Sequence, residues 1–281
     1  MPTATKDPAI TLPPALANKS EIVVAADASY PPNEFFADDN KTIVGLDVDL
    51  ATALGQALGK PVKIVNAPFD SILPGLQAGK YDLGMSSFTD NKEREKSFDF
   101  VDYFSAGTSL MVKKGNPEGL QPENLCGKKV AAEKGTTQSD EDLPARSKAC
   151  TDAGKPAIQI LIFPDQGGAN LALQSGRADG VLADSPVIAY QIKQTNGQFE
   201  QAGGAYATAP YGIAVPKGKG LAEPILAALK SVQSQGVYTT ILEAWGEQQG
   251  AVNTPGINGA TSGPLRRRSG PARAPRVGSS A

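Results

Sequence analysis

Histidine is absent from the 281 residues of this chain. Its absence excludes Ser-His and Cys-His nucleophilic catalysis, imidazole-based zinc sites and the side chain that most readily moves protons near neutral pH. An enzyme built on this sequence would have to work with carboxylates, lysine, tyrosine or arginine. No apolar run is long enough to span a bilayer. Charge of one sign is not in excess: 27 Lys and Arg stand against 29 Asp and Glu, which gives no general electrostatic reason to bind nucleic acid or anionic lipid. Cysteine is reduced to Cys126 and Cys150, too few and too far apart for a zinc knuckle or a C-x-x-C redox motif. A pair closing a loop of about two dozen residues suits a disulfide worth roughly 3 kcal/mol, with two buried free thiols as the alternative. A bridge would place the chain in an oxidising compartment, outside the cytoplasm.

What is present is ordinary for a globular protein: 40% hydrophobic and 20% charged residues, and enough length for one large domain or two of moderate size. The start, Met1 to Pro8, has neither a basic nor an apolar leader segment, which leaves a cytosolic chain or one whose signal segment has been removed. Residues 1–20 and 247–281 read as unstructured ends. The second is rich in Gly, Pro, Ser and Ala and carries Arg266, Arg267, Arg268, Arg273 and Arg276.

Between the ends, strands and helices alternate. Glu21–Ala26 is a short apolar run with β-branched residues, hence a buried strand. Leu46, Leu50, Leu54 and Leu58 form one stripe of a helix that stops near Gly59. Val62–Asn66 is the next strand, followed by a short helix from Phe69 to Leu76. The stretch from Asp82 to Arg94 changes from strand to helix, with Asp90 and Glu93 spaced as a capping box. In the second half, Lys129–Glu133 is a strand leading to a helix start at Gly135–Thr137. Ala157–Phe163, Gly180–Ala183 and Tyr211–Val215 are further strands. Helices are expected over 166–174, 185–193 and 221–235, with a last one ending near Trp245.

Such βαβ alternation implies mostly parallel sheets covered by helices, and two sets of units suggest two lobes. In open α/β sheets ligands collect beyond the carboxyl ends of the strands. Polar residues cluster at just those ends: Asp27, Ser86 to Thr89, Glu133 to Thr137, and Asp184. Their concentration there points to a pocket.

The runs Ala26-Asp-Ala-Ser-Tyr-Pro-Pro32, Gly45-Leu-Asp-Val-Asp-Leu50, Phe69-Asp-Ser-Ile-Leu-Pro-Gly-Leu76, Lys92-Glu-Arg-Glu-Lys96 and Tyr211-Gly-Ile-Ala-Val-Pro-Lys217 resemble the family-three solute-binding proteins, the extracytoplasmic receptors of polar amino-acid ABC importers. The resemblance extends over about residues 20–246. It implies an α/β, periplasmic-binding-protein fold of two lobes, residues 21–106 with 210–246 and residues 107–209, joined by a two-stranded hinge near Ser105–Thr108 and Thr208–Tyr211. It implies a secreted or membrane-anchored monomer that closes over one free amino acid and docks on a permease. No cofactor, metal, catalytic residue or nucleic-acid partner is expected.

An amino acid presents a carboxylate, an ammonium and a side chain, and the resemblance assigns residues to each. Arg94 offers a two-pronged guanidinium to the carboxylate, with Thr89 and the amide of Thr137 at a helix start beside it; a surface ion pair with Asp90 or Glu95 is the plainer reading of Arg94. Asp184, with Ser87 and Thr89, meets the ammonium, unless its carboxylate only caps the helix that follows. Tyr30 and Phe69 match the aromatics that sandwich the ligand, although Phe69 by itself reads as core. Ser86 lies on the same junction as Ser87.

By the same resemblance Asp27 matches the position that faces the distal end of the substrate, with Glu133 near it and Glu34 farther out. Buried carboxylates there disfavour an apolar side chain. Arginine or lysine is therefore expected first, glutamine or asparagine second, and glutamate only if Glu133 turns away or Lys134 intervenes. Asn33, Ser87 and Ala183 depart from the family pattern around this end, where an aromatic or apolar residue, a glycine and a polar residue are common. Two other uses of the fold are a dehydratase working with Glu133 and Lys134 as acid and base, and a sensor module feeding a separate partner.

Overall fold

The structure is a computed structural model and describes residues 2–261. In chain order its elements are α1 (Pro14–Ala17), β1 (Ile22–Ala26), β2 (Ser29–Tyr30), β3 (Glu34–Phe36), β4 (Ile43–Val44), α2 (Leu46–Leu58), β5 (Val62–Asn66), α3 (Phe69–Gln77), β6 (Leu83–Gly84), β7 (Phe98–Lys113), β8 (Lys129–Glu133), α4 (Leu143–Asp152), β9 (Gln159–Phe163), α5 (Gln166–Gln174), β10 (Gly180–Asp184), α6 (Ser185–Gln194), β11 (Phe199–Pro216), α7 (Ala222–Ser234) and α8 (Val237–Trp245). Among the described residues, no helix is long and apolar enough to cross a membrane.

The leucine stripe is buried as its spacing requires: Leu46, Leu50, Leu54 and Leu58 all face the core that α2 shares with α7 and α8. The helix ends where Gly59 takes a left-handed φ of 69° and donates its amide to the Gln56 carbonyl. Strands β8 and β10 are buried almost throughout, which is why they read as unbroken apolar runs.

The main sheet has the order β5-β1-β6-β11-β7-β10-β8-β9. Its two halves are each mostly parallel, β5-β1-β6 on one side and β10-β8-β9 on the other. Each half has buried clusters on both faces, α2, α7 and α8 opposite α3 in one and α5 and α6 opposite α4 in the other. This is a two-lobed α/β fold. The lobes are joined by β7 and β11, antiparallel strands of 16 and 18 residues. Their pairing slips between Ala202 and Tyr206, between Tyr206 and Ala209, and again between Tyr211 and Gly212. The bulges bend the ribbon where it passes from one lobe to the other.

Several expectations fail. The residue pattern gives only Tyr211–Val215 of β11 as strand, and the resemblance adds short hinge strands near Ser105–Thr108 and Thr208–Tyr211; the full lengths of β7 and β11 are not read because Gly107, Gly203, Gly204 and Gly212 interrupt the apolar pattern. The small sheet β2-β3-β4 was not foreseen. Asp90 and Glu93 form no capping box: only one turn of 3-10 helix, Arg94–Lys96, fits before β7, and Asn91 Oδ1 rather than Asp90 accepts the Arg94 amide at 2.8 Å.

The ends are not unstructured where they are described. Leu16 is 0% exposed in the lobe core. The Ala4 amide donates to Gln56 Oε1 at 2.8 Å, and the Asp7 amide to the Ala57 carbonyl at 2.9 Å. After α8 the chain runs back along β7, bridging Ala251 to Phe104 and Ile257 to Val101. It is held there by Asn258, whose amide donates to the Phe100 carbonyl while its Oδ1 accepts from the Phe100 amide. Scattered apolar residues, Leu16 and Ile257 among them, find core partners that local composition does not reveal. The arginines from Arg266 onward lie outside the described residues.

The pair Cys126 and Cys150 is a disulfide across 24 residues with Cα atoms 5.6 Å apart. Of the two readings left open by spacing, the bridge is the one found.

Candidate functional site

A narrow cavity lies between the lobes. It is lined from the first lobe by Asp27, Tyr30, Phe69, Ser86, Ser87, Thr89 and Arg94, and from the second by Glu133, Thr136, Thr137, Gln138 and Asp184. Several of these positions lie at strand ends. Asp27 follows β1 and Ser86 and Ser87 follow β6, while Asp184 closes β10 and Glu133 closes β8. Parallel strands in both halves aim these ends at one crevice.

Arg94 is half-buried over two aromatic rings, with Cζ 5.4 Å from the Phe88 centroid and 5.7 Å from that of Phe69. Those rings stack on each other at 4.6 Å. The guanidinium donates through Nη1 to the Thr89 carbonyl at 2.8 Å and through Nη2 to the Gly135 carbonyl at 3.0 Å. The second contact crosses the cleft. The surface-pair reading of Arg94 fails, because Glu95 pairs with Lys92 at 2.7 Å and the Asp90 carboxylate accepts from the Ala260 amide. Gly135 itself has a φ of 80°, and a Cβ there would sit 2.9 Å from Asp70 Cβ, so the opposed lobe edges can touch only through a glycine.

Asp184 begins α6 but its side chain makes no cap hydrogen bond. Its oxygens instead accept from Gln138 Nε2 and from the Tyr211 hydroxyl, both at 2.7 Å. Its amide donates to the Tyr30 hydroxyl of the opposite lobe at 3.1 Å. Asp27 is held by the amides of Ser29 at 3.1 Å and Phe69 at 2.8 Å. Burial raises the carboxyls of Asp27 and Asp184 above the ordinary range, against the hydrogen bonds that lower them.

Glu133 differs from both. It is 2% exposed, and its Oε1 has no hydrogen-bond partner among the described residues. Burial, and then the nearby carboxylates of Asp27 and Asp165, push its carboxyl well above the ordinary range. Lys134, next in sequence, does not turn toward it. The ammonium pairs with Asp70 Oδ2 at 2.8 Å on a side chain 62% exposed. Among the described residues lining the cavity, Arg94 is the only cation, against Asp27, Glu133 and Asp184. Arg94 is suited to a carboxylate, and the acids opposite it to cationic groups.

Asn33 does not line the cavity. It is buried behind the Ser86–Ser87 turn, where Nδ2 donates to Ser87 Oγ at 2.8 Å. Its β-hairpin position, unrecognised in the sequence, turns it inward. Glu34 lies in the same second layer, with Ser86 Oγ donating to its Oε1 at 2.9 Å. Gln138 and the hydroxyl of Tyr211 are further neighbours of the site that the sequence did not suggest, and Thr136, within the Glu133–Thr137 cluster, lines it without having been given a role. Tyr211 stood in a quoted motif, but Gln138 carried no local signal. It reaches Asp184 because the helix leading to α4 opens with a wide π-type turn over Gln138–Asp142.

The profile of the bacterial extracellular solute-binding proteins, family 3, matches residues 22–248. The chain belongs to that family. The arginine-binding protein ArgT of Corynebacterium glutamicum is 36% identical over 247 residues, covering 88% of this chain and 81% of ArgT. The ABC transporter glutamine-binding protein GlnH of Bacillus subtilis is 36% identical over 209 residues, 72% of each chain. Among solved structures, an ancestral arginine-binding protein bound to arginine superposes with a TM-score of 0.74 at 36% identity, covering 81% of this chain and 98% of that one. The family-3 fold thus accounts for both lobes, while the segment from 249 onward lies beyond the family profile.

Proposed function

We propose that this family-3 protein is the extracytoplasmic receptor of an ABC importer for a cationic amino acid, arginine first and lysine second. The observation that carries the choice of ligand is Glu133, a buried carboxyl with an unpartnered oxygen beside Asp27, in a cavity whose lining offers one cation against three acids. A guanidinium would partner Glu133 and relieve its repulsion with Asp27. A carboxylate side chain would meet like charge, with Lys134 engaged at Asp70. The naming of ArgT for arginine supports the same reading.

In this reading Arg94, Thr89 and Thr137 bind the α-carboxylate. Asp184 takes the ammonium, with Ser87 as a further acceptor. Tyr30 and Phe69 cover the aliphatic stem, and Asp27, Glu133 and Ser86 surround the distal end. The rigid bodies are residues 21–106 with 210–246 and residues 107–209, rotating about the bulged part of β7 and β11. A ligand that touches both lobes favours the closed form in proportion to that differential affinity. The protein acts as a monomer that delivers its ligand to a membrane permease. Chemistry on the ligand is disfavoured because Lys134, the partner an acid-base pair with Glu133 would need, is occupied by Asp70.

A thermal-shift screen over the twenty amino acids tests this. Ligand at a hundred times its Kd stabilises the native state by about 2.7 kcal/mol, a rise of roughly 5–10 °C for a chain of this size. Arginine gives that rise, lysine a smaller one and leucine none. No response to any amino acid overturns the receptor assignment, and a larger response to glutamine than to arginine overturns the ligand.

A further inference from the structure

Behind the cavity lie two carboxyl groups that no ligand can reach. Glu34, 0% exposed, comes from β3, and Asp47, 1% exposed, from the first turn of α2. Both accept from Ser87, Asp47 from its amide and Glu34 from its hydroxyl at 3.5 Å, which sets the two carboxyls side by side, with no ion pair to either among the described residues. Carboxylates only accept hydrogen bonds, so two of them can meet favourably only through a proton. Two adjacent buried carboxylates without a cation cannot both ionise.

Apart from one bond from Tyr103, their bonds run to one turn. The Ser87 amide donates to Asp47 Oδ2 at 2.9 Å, and the Tyr103 hydroxyl donates to the same oxygen at 2.7 Å. Ser86 Oγ donates to Glu34 Oε1 and accepts the Asp27 amide, both at 2.9 Å. Asp47 Oδ1 has no other donor among the described residues, which leaves it for the shared proton. Ser87 needs this support because its φ is 53°, in the left-handed region that a side chain disfavours. Both serines line the ligand cavity.

Resting on the amino-acid-binding reading above, we infer that Glu34 and Asp47 share one proton and together position the ligand-facing Ser86–Ser87 turn, so that affinity is lost when the proton leaves. Burial raises both carboxyls above the ordinary range, and the charge of Asp47 raises that of Glu34 further, so the pair retains a proton. Asp27 faces the pair from the end of β1 and adds negative charge, and Tyr103 faces it from β7 as a neutral donor. Loss of the proton puts two repelling anions under the turn.

The test is the Kd for arginine of the wild type and of Glu34→Gln, by calorimetry from about pH 6 to about pH 9. The glutamine amide can donate to Asp47 and accept from Ser86, but it cannot ionise. The variant binds within about threefold of wild type at the acid end, and above the ionisation of the pair wild type weakens relative to it by up to about tenfold per pH unit. Titration of the ligand's own ammonium and of Glu133 is common to both proteins and cancels in the ratio. Glu34→Ala, which cannot bridge Asp47 to Ser86, weakens binding at every pH. A Kd ratio that stays flat across the range overturns the inference; if Glu34→Gln does not fold, Asp47→Asn makes the same comparison. Infrared spectra of the ligand-free protein separate this from the functional reading. A protonated-carboxyl band that Glu34→Gln removes supports the shared proton even if no amino acid binds, and a band unchanged by Glu34→Gln overturns it.

Discussion

Replacing Glu133 by glutamine removes the charge that selects a cationic side chain and leaves the shape of the cavity nearly intact. At contact, about 4 Å, a guanidinium and a carboxylate attract by roughly 4 kcal/mol at an effective dielectric constant near 20. Part of that is consumed in ionising Glu133, whose carboxyl is raised by burial and by Asp27. A net loss of about 2 kcal/mol remains, a rise of about thirtyfold in the Kd for arginine at neutral pH. Glutamine, which presents a neutral amide, changes by less than about twofold. Calorimetry with both ligands therefore separates loss of the charge from general damage. The ligand-free protein is not weakened, because Oε1 of Glu133 has no partner to lose among the described residues.

The pH dependence has a definite sign. A carboxyl raised in the folded state adds stability below its unfolded pKa, and that contribution is lost as pH rises through the folded value. The ligand-free wild type therefore loses stability on the alkaline side relative to Glu133→Gln. Arginine affinity moves the other way at Glu133, falling as pH drops and the carboxyl takes a proton. An unchanged arginine Kd in Glu133→Gln, or an equal loss for glutamine and arginine, would refute the selectivity argument.

Arg94→Lys keeps the charge but loses the planar fork over Phe88, and weakens binding of every amino acid by about tenfold or more irrespective of side chain, as read by calorimetry. A loss confined to arginine would count against a carboxylate role. Deleting residues 251–281 removes the amides that Asp90 and Asp102 accept from Ala260 and Gly259, and strips Ile257 from the core; it lowers stability by about 2–4 kcal/mol in urea unfolding, with little change in arginine affinity. An unaltered midpoint would mean that the strap is passive. Cys126→Ala with Cys150→Ala costs about 2–4 kcal/mol by the same measurement, because the 24-residue loop is freed in the unfolded chain.

Legibility along this chain followed the range of the interaction concerned. The α2 leucine stripe and the apolar strands β1, β8 and β10 could be read because period and burial are set by neighbours within a few residues. The strand-end residues Asp27, Glu133 and Asp184 could be found because parallel strands project their carboxyl ends to one side. The full lengths of β7 and β11, beyond the short hinge strands the resemblance implied, escaped because glycines and bulges mask a period of two. The capping box over Asp90 and Glu93 had a valid local pattern that the distance to β7 left no room to form. Asn33 sat among site residues in sequence but behind them in space.

Sequence by itself determined that this is an α/β chain without histidine chemistry, with polar groups at its strand ends and motifs of an amino-acid receptor, since propensity, periodicity and composition are properties of the chain alone. Only the tertiary structure decided which groups meet. Among the described residues, Glu133 Oε1 is left without a partner while Lys134 beside it is taken by Asp70, and Glu34 is buried beside Asp47 with no ion pair to either. Those outcomes depend on desolvation and on contacts between residues far apart in the chain, and Coulomb energies that are slight in water become decisive once water is excluded.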